Sequence, residues 1–380
     1  MTSAREFMSR LPASVDHQPP EFAGASNLRQ KARAAGLDPN YWYPVALDRG
    51  LAKGEVREVV FWKRSIALFR DEAGDVHAIE NRCVHRQLKL SKGEVQGCRL
   101  VCLYHGWAYD GSGKVVDIPH DLFGRDLPNF RVPACPVRIR YGLIWIFPGD
   151  PALAEQQHIP DIPELEGPQR WACEPIEMAW QAHHSMIIDN VSDFTHQHLH
   201  RRYRPFRNAR LLRHDTMDDE VVLEYKAEIG RGRLSQLFIE HGRIDTDRIT
   251  LGYRYPYQWS NTGDAIKHWL FVLPIDERRS RAFFLFYFKS LKIPLLPLRV
   301  PRALMSLVLR LSNRWLIRPL LAQDGEAVEA EQEGYERHWD APLAELNPVV
   351  RAFQSLTVRK WQAHCDGAPR PVARSQPADV

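Results

Sequence analysis

From Tyr41 to about Phe147 the chain runs in short β-branched and aromatic stretches, VREVVFWKR, SIALFRD and DVHAIEN, broken by Gly, Asp and Asn. That is the pattern of strands and turns, and it predicts an all-β unit closing near Phe147. The text that follows, FPGDPALAEQQHIPDIPE, is punctuated by proline and reads as a connection. Beyond it VVLEYKAEI, RITLGYRYPYQWS, AIKHWLFVLPI and SRAFFLFYFKSL are four successive strand candidates of a meandering antiparallel sheet, with helices expected before Arg202 and after Val300. The predicted class is α+β: an N-terminal all-β domain over residues 41–150, then an antiparallel sheet plus helices over 151–365. Residues 1–40 and 366–380 are polar or Pro-rich without periodicity, and read as an N-terminal arm and a flexible tail.

Composition narrows the function. At 380 residues, 44% of them hydrophobic, the chain can bury a sizeable core. A net charge of +4 without a long basic run argues against a nucleic-acid partner. The N-terminus lacks the apolar core of a secretory signal and no stretch of 18 or more apolar residues occurs, so a cytoplasmic protein without a transmembrane span is expected. Six cysteines in so long a chain do not make a disulfide framework; thiols or metal ligands fit better.

Two of those cysteines carry the most specific text. Cys83-Val84-His85-Arg86 is followed, after sixteen residues beyond His85, by Cys102-Leu103-Tyr104-His105-Gly106-Trp107, so two short loops each present one Cys and one His. Thiolate holds ferric iron, and neutral imidazole on a second iron removes negative charge and raises the potential. A Cys2His2 zinc site uses the same residue types, but zinc fingers pair like with like along the chain, and the mixed, tight C-x-H favours an iron–sulfur cluster. Cys98 has no paired His and reads as a buried or free thiol.

This text, C-x-H-R and C-x2-H-G-W-x-Y-D, resembles the Rieske [2Fe-2S] domain of the ring-hydroxylating, non-heme iron oxygenase family, with Tyr43-Pro44-Val45-Ala46, Gly111, Gly113 and Ile118-Pro119 in agreement. The resemblance implies a cluster held by Cys83, His85, Cys102 and His105. Leu88 and Tyr104 stand where respiratory Rieske proteins carry bridging cysteines. Trp107 stands where those proteins have a serine, which implies a potential at the low end of the Rieske range, roughly −150 mV.

A second constellation lies at Asp189-Asn190-Val191-Ser192-Asp193-Phe194-Thr195-His196-Gln197-His198-Leu199-His200, with three histidines and two aspartates in twelve residues. On a helix, His196 and His200 share a face with Asp193, and His198 points away. Taken alone this is better explained by a solvated His-rich helix than by a metal site. The family resembled carries N-x2-D-x2-H-x3-4-H, matched by Asn190, Asp193, His196 and His200 in the shorter form. Arg201 occupies the position of the longer form, so His198 remains an alternative to His200. The resemblance further implies a third, carboxylate ligand at the start of a C-terminal helix, Asp324 in Gln323-Asp324-Gly325-Glu326, with Asp340 and Glu326 in reserve, and so a two-His, one-carboxylate iron(II) site. His183 and His184 read as packed or substrate-pocket residues, and the arginines at 201, 202, 204, 207 and 210 as a solvated face.

The segment LKIPLLPLRVPRALMSLVLRLSNRWLIRPLLAQD holds Lys292 and five arginines before its first acid, Asp324. Over residues 302–318 Arg310, Arg314 and Arg318 form one stripe and Leu304, Leu307, Leu311 and Trp315 another. That pattern suits an interfacial helix at a membrane surface and equally an amphipathic helix closing an active-site cavity. Prolines 294, 297, 301 and 319 limit its length.

The resemblance, over residues 41 to about 365, implies a terminal oxygenase component with a helix-grip catalytic domain, a homotrimer in which Asp193 contacts His105 across a subunit boundary, and O2 as co-substrate. No G-x-G-x-x-G occurs, so NAD(P)H would be used by a separate reductase, directly or through a ferredoxin. The apolar second domain points to a bulky apolar substrate, with methyl-group oxidation of a sterol or related polycyclic lipid as the leading reading. A small aromatic acid or ether, including O-demethylation, is the second. A Rieske electron carrier with an appended binding domain is the reading from another class.

Overall fold

The structure is a computed structural model describing residues 18–119, 129–200, 203, 205–229, 248–289 and 300–367. Of the sequence features above, Arg201, Arg202, Arg204, Lys292, prolines 294 and 297, and the outer parts of the arm and tail lie outside the described residues.

Three small antiparallel sheets make the N-terminal part. Tyr43–Leu47 pairs with Leu143–Ile146, and that strand with Val137–Arg140, so the chain enters and leaves this part side by side. Val56–Phe61, Arg64–Arg70 and Val76–Glu80 form a meander joined by Ala134–Cys135. A third meander runs through Glu94–Gln96, Arg99–Val101, Ala108–Tyr109 and Val115–Asp117. Leu100, Tyr109 and Val115 pack with Phe69, Ile79 and Leu90 into a small core separate from the main one, and Cys83 and Cys102 are buried in it.

The C-terminal part is an eight-stranded antiparallel sheet: β1 (Ala172–Cys173), β2 (Ile176–Trp180), β3 (Phe206–Thr216), β4 (Glu220–Ile229), β5 (Arg248–Arg254), β6 (Tyr257–Thr262), β7 (Ile266–Asp276) and β8 (Arg279–Phe288). From β3 to β8 neighbours in sequence are neighbours in the sheet, and β1 and β2 both pair along β8. The run RITLGYRYPYQWS, expected as one strand, is two, reversing at Tyr255-Pro256. Proline withholds a donor and fixes φ, so the ladder breaks there. Strand β3, not expected, is the sheet edge; most of its residues are exposed on both faces, so it shows no apolar alternation to read.

One sheet face packs on the N-terminal part: Phe271 lies 4.8 Å from Trp145 ring to ring, and Tyr257 Oη donates to the Trp42 carbonyl at 2.8 Å. The other face meets helices, with Tyr253 edge-on to Phe353 at 5.5 Å. These helices are α1 (Leu28–Ala34), α2 (His184–Ser192), α3 (Arg302–Ser312), α4 (Arg318–His338) and α5 (Pro348–Cys365). A π-helical turn over Asn313–Ile317 joins α3 to α4 without a break in the helical backbone, and Pro319, which has no N–H to donate to the preceding turn, follows directly after that wider turn.

Within the span expected to be a loose arm, α1 is packed. Arg33, 6% exposed, places Nη1 2.8 Å from Asp189 of α2 and 2.6 Å from Ser185 Oγ, and Nη2 2.8 Å from Glu331 of α4. Gln354 of α5 also donates to Asp189, at 2.7 Å. A guanidinium with fixed forks can hold two carboxylates at once. Replacing Arg33 with Met should therefore cost about 3–5 kcal/mol, because Asp189 is left buried without its cation. Breaking the exposed Arg138–Glu155 pair should cost under about 1 kcal/mol. Denaturant unfolding of the two variants would check this; equal, small effects would contradict the assignment of Arg33 as the clamp.

Candidate metal centres

The loop from Cys83 follows the strand Val76–Glu80, and that from Cys102 links Arg99–Val101 to Ala108–Tyr109. Each loop closes on its own cysteine: Cys83 N donates to Leu88 O and Cys102 N to Trp107 O, both at 2.8 Å, and Gly106 N returns to Cys102 O at 3.0 Å. Gly106 has φ +69°, a conformation that side-chain-bearing residues rarely adopt. The two thiols are buried, while His85 and His105 are half-buried with ring centroids 4.5 Å apart. Trp107 stacks on His85 at 5.0 Å and 9°.

Tyr109 Oη donates to Cys83 Sγ at 3.2 Å and accepts from Val84 N at 2.9 Å. Burial pushes the Cys102 thiol up, with Cys83 beside it acting the same way. Burial, then His105 and Arg86, lower His85, which favours neutral imidazole. Sulfur thus faces sulfur and imidazole faces imidazole. That suits two metals with different donor pairs better than one ion held by all four. Cys98 is exposed and free.

The second site differs from expectation in its scaffold. Helix α2 stops at Ser192, and Asp193 is extended (φ −100°, ψ 96°). Its carboxylate accepts from Thr195 N at 2.8 Å, a local bond that competes with helix, so residues 193–200 form turns. The turns nevertheless bring His196 and His200 to 5.1 Å between rings, while His198 is exposed. Asp324 sits inside α4, six residues after its first residue Arg318, not at a helix start. Glu326 and Asp340 are exposed.

Asp324 Oδ1 lies 3.2 Å from His200 Nε2 and 3.6 Å from His196 Nε2, and the donor atoms of the three residues fall within 4.8 Å of one another. His200 Nδ1 donates to Gln323 Oε1 at 3.1 Å, and His196 Nδ1 to the Asp193 carbonyl. With both Nδ1 hydrogens committed, both Nε2 lone pairs point toward a carboxylate oxygen. Three electron-rich atoms converge in a largely buried place, an arrangement that calls for a cation among them. Burial lowers His196, against the attraction of Asp324; for His200 burial acts in the same sense, but Asp324 and Gln323 outweigh it and raise the ring on balance.

Neighbours that the sequence did not single out complete the site. Phe206, at the start of β3, stands edge-on to His196 and His200 at 5.1 and 5.6 Å. A Cβ on Gly325 would meet Trp180 Nε1 at 2.4 Å, so the residue after Asp324 must be glycine for α4 to approach the sheet. Asn190 is half-buried near the end of α2, its carbonyl accepting from Asp193 N at 3.3 Å. His183 and His184 are packed rather than near the trio: His184 Nε2 donates to Ala35 O at 2.6 Å, and burial pushes His184 down to about 4.

Comparison with known proteins gives these sites a context. The family profile for the Rieske [2Fe-2S] domain matches residues 41–129, and that for the vanillate O-demethylase oxygenase C-terminal domain matches 180–365. A 4beta-methylsterol monooxygenase of Methylococcus capsulatus is 45% identical over 351 residues, spanning 91% of this chain and 95% of that protein. The oxygenase component of dicamba O-demethylase from Stenotrophomonas maltophilia is 32% identical over 48% of this chain and 52% of its own. The crystal structure of dicamba monooxygenase bound to dicamba superposes with a TM-score of 0.68 over 87% of this chain and 100% of that one, at 20% identity, which shows a common fold.

Proposed function

The chain belongs to the Rieske non-heme iron oxygenases, and from that premise we propose that it is a terminal oxygenase oxidising a methyl group of a sterol or related polycyclic lipid. The observation carrying the substrate reading is similarity along nearly the whole length to a methylsterol monooxygenase; similarity to the dicamba O-demethylase covers about half of either chain. In this proposal Cys83, Cys102, His85 and His105 hold the [2Fe-2S] cluster, and His196, His200 and Asp324 hold the mononuclear iron. The convergence of those three donors speaks against the electron-carrier reading.

Two neutral imidazoles and one carboxylate are the donor set of ferrous oxygenases, and iron bound there would supply O2 activation with electrons drawn from the cluster. The chain's own residues do the rest. Gln323 and the Asp193 carbonyl fix the imidazole orientation. Asp324 supplies the negative charge, and the Phe206 ring walls the site against water. Asn190 lies in the last turn of α2 and Asp193 directly after the helix, at the start of the ligand loop, where Asp193 would meet His105 of a neighbouring subunit in a homotrimer and carry the electron route. Electrons come from a separate ferredoxin, an NAD(P)H-dependent reductase, or both.

Given a reduced ferredoxin, 18O2 and a 4-methylsterol, the holoenzyme should yield a labelled hydroxymethyl or further oxidised product. Turnover confined to aromatic acids or ethers would overturn the sterol reading in favour of the second one.

No helix among the described residues is long and apolar enough to cross a membrane. Peripheral contact through residues 302–318 is a further part of the proposal. Leu304, Leu307, Leu311 and Trp315 are 50%, 53%, 52% and 69% exposed, and Arg310, Arg314 and Arg318 are exposed beside them. The buried side of α3 is Met305 and Leu309, packed on Ala172 and Phe288. An outward apolar stripe flanked by cations favours an anionic bilayer surface over a cavity wall. Each arginine near the surface contributes about 1 kcal/mol, screened within a Debye length. Anionic liposomes should therefore co-sediment the protein at low salt, less so at high salt, and not at all after reversal of the three arginines to Glu. A wild type that ignores such liposomes would remove this contact.

A further inference from the structure

Among the described residues the helix-facing side of the sheet is largely apolar, and one polar line crosses it. Cross-strand register puts Ser260 opposite His268, and His268 opposite Phe286, while Gln258, Leu270 and Phe284 follow on the same face. This face leads to the metal trio: His268 is 5.2 Å from Phe286, Phe286 5.7 Å from Phe284, and Phe284 6.0 Å from Trp180, the ring that seats Gly325 next to Asp324. Gln258 and Ser260 are buried, whereas His268 and Phe286 at the same end of the line keep part of their surface accessible.

The hydrogens along the line can be assigned because one end is a carbonyl. Gln258 Nε2 donates to Trp259 O at 3.3 Å, which turns Oε1 toward His268 Nε2 at 3.0 Å. A carbonyl oxygen only accepts, so His268 carries its hydrogen on Nε2. Burial pushes His268 down to about 4, so the ring is neutral and Nδ1 bears a lone pair. Ser260 Oγ, 2.5 Å from Nδ1, must donate its only hydrogen there. Its remaining lone pairs receive no donor among the described residues, and Ser260 is left able to accept and unable to donate.

We propose that Ser260 Oγ is the acceptor for a hydroxyl of the substrate, so that this enzyme binds the alcohol form of a polycyclic substrate and discriminates against the corresponding ketone. This rests on the apolar-substrate reading above for the location of the ligand. A ketone would set its own lone pairs against those of Ser260, leaving two buried acceptors without a donor. His268 and Gln258 are positioning residues: they fix the direction of the Ser260 hydrogen and do not touch the ligand.

The test is anaerobic equilibrium binding to the holoenzyme of a 3-hydroxysterol and its 3-ketone, alongside an aromatic alcohol and its aldehyde. Within the bound class the alcohol should be favoured by about tenfold or more. Ser260→Ala and His268→Leu should bring that ratio to about one, while Ser260→Thr keeps it, with the cluster absorbance confirming that each variant is folded. A merely structural triad would change stability and leave the ratio alone. Equal affinity within every pair, an unchanged ratio in folded Ser260→Ala, or failure to bind either pair would overturn the Ser260 assignment. Selective binding of the aromatic alcohol without the sterol would keep that assignment and overturn the sterol reading.

Discussion

The second metal centre depends on holding two distant segments in register, and a single buried guanidinium spans them. Arg33 contacts Asp189, seven residues before His196, and Glu331, seven residues after Asp324. Along α4 that offset is two turns, about 10 Å on the same face. The ion pair therefore sets the spacing of α2 and α4 at a point removed from the ligands, where its charges do not compete with the site. Trp180 against Gly325 sets the approach of α4 to the sheet, while the Asp193 carbonyl sets the direction of the His196 ring and Gln323 that of His200.

The two centres are built on opposite principles. Around Cys83 and Cys102 the backbone loops are tight and the thiols lie in a small dedicated core, so the site is local in sequence and rigid. Around His196, His200 and Asp324 the geometry is assembled from a turn, a helix interior and an edge strand. A cluster that only passes electrons needs a fixed environment, whereas a site that admits O2 and a bulky substrate must share its walls with a cavity. The apolar sheet face carrying Ser260, and the outward stripe of α3, both suit delivery of a lipid-like molecule.

Legibility in the sequence followed that division. Cys83, His85, Cys102 and His105 stand out because two contiguous loops hold them and their mixed spacing departs from the like-with-like pairs of zinc fingers. His196 and His200 were legible as residue types, but the inferred helix was not, because an Asx turn at Asp193 outcompetes it. Asp324 carries no local signal: a carboxylate one step before a glycine inside a long helix looks like any solvated acid, and only family resemblance singled it out. Arg33 was invisible because α1 is anchored by ion pairs and not by an apolar stripe. The polar line at Gln258, Ser260 and His268 was hidden within strands whose other positions are plainly core.

The proposed function requires a single chain to hold both a [2Fe-2S] cluster and a separate iron at Asp324. Iron and acid-labile sulfide counts on anaerobically reconstituted protein test it most directly. The wild type should contain about three irons and two sulfides per chain, and Asp324→Ala should lose one iron while keeping both sulfides and the cluster absorbance. Two irons in the wild type, or three in a folded Asp324→Ala, would contradict it.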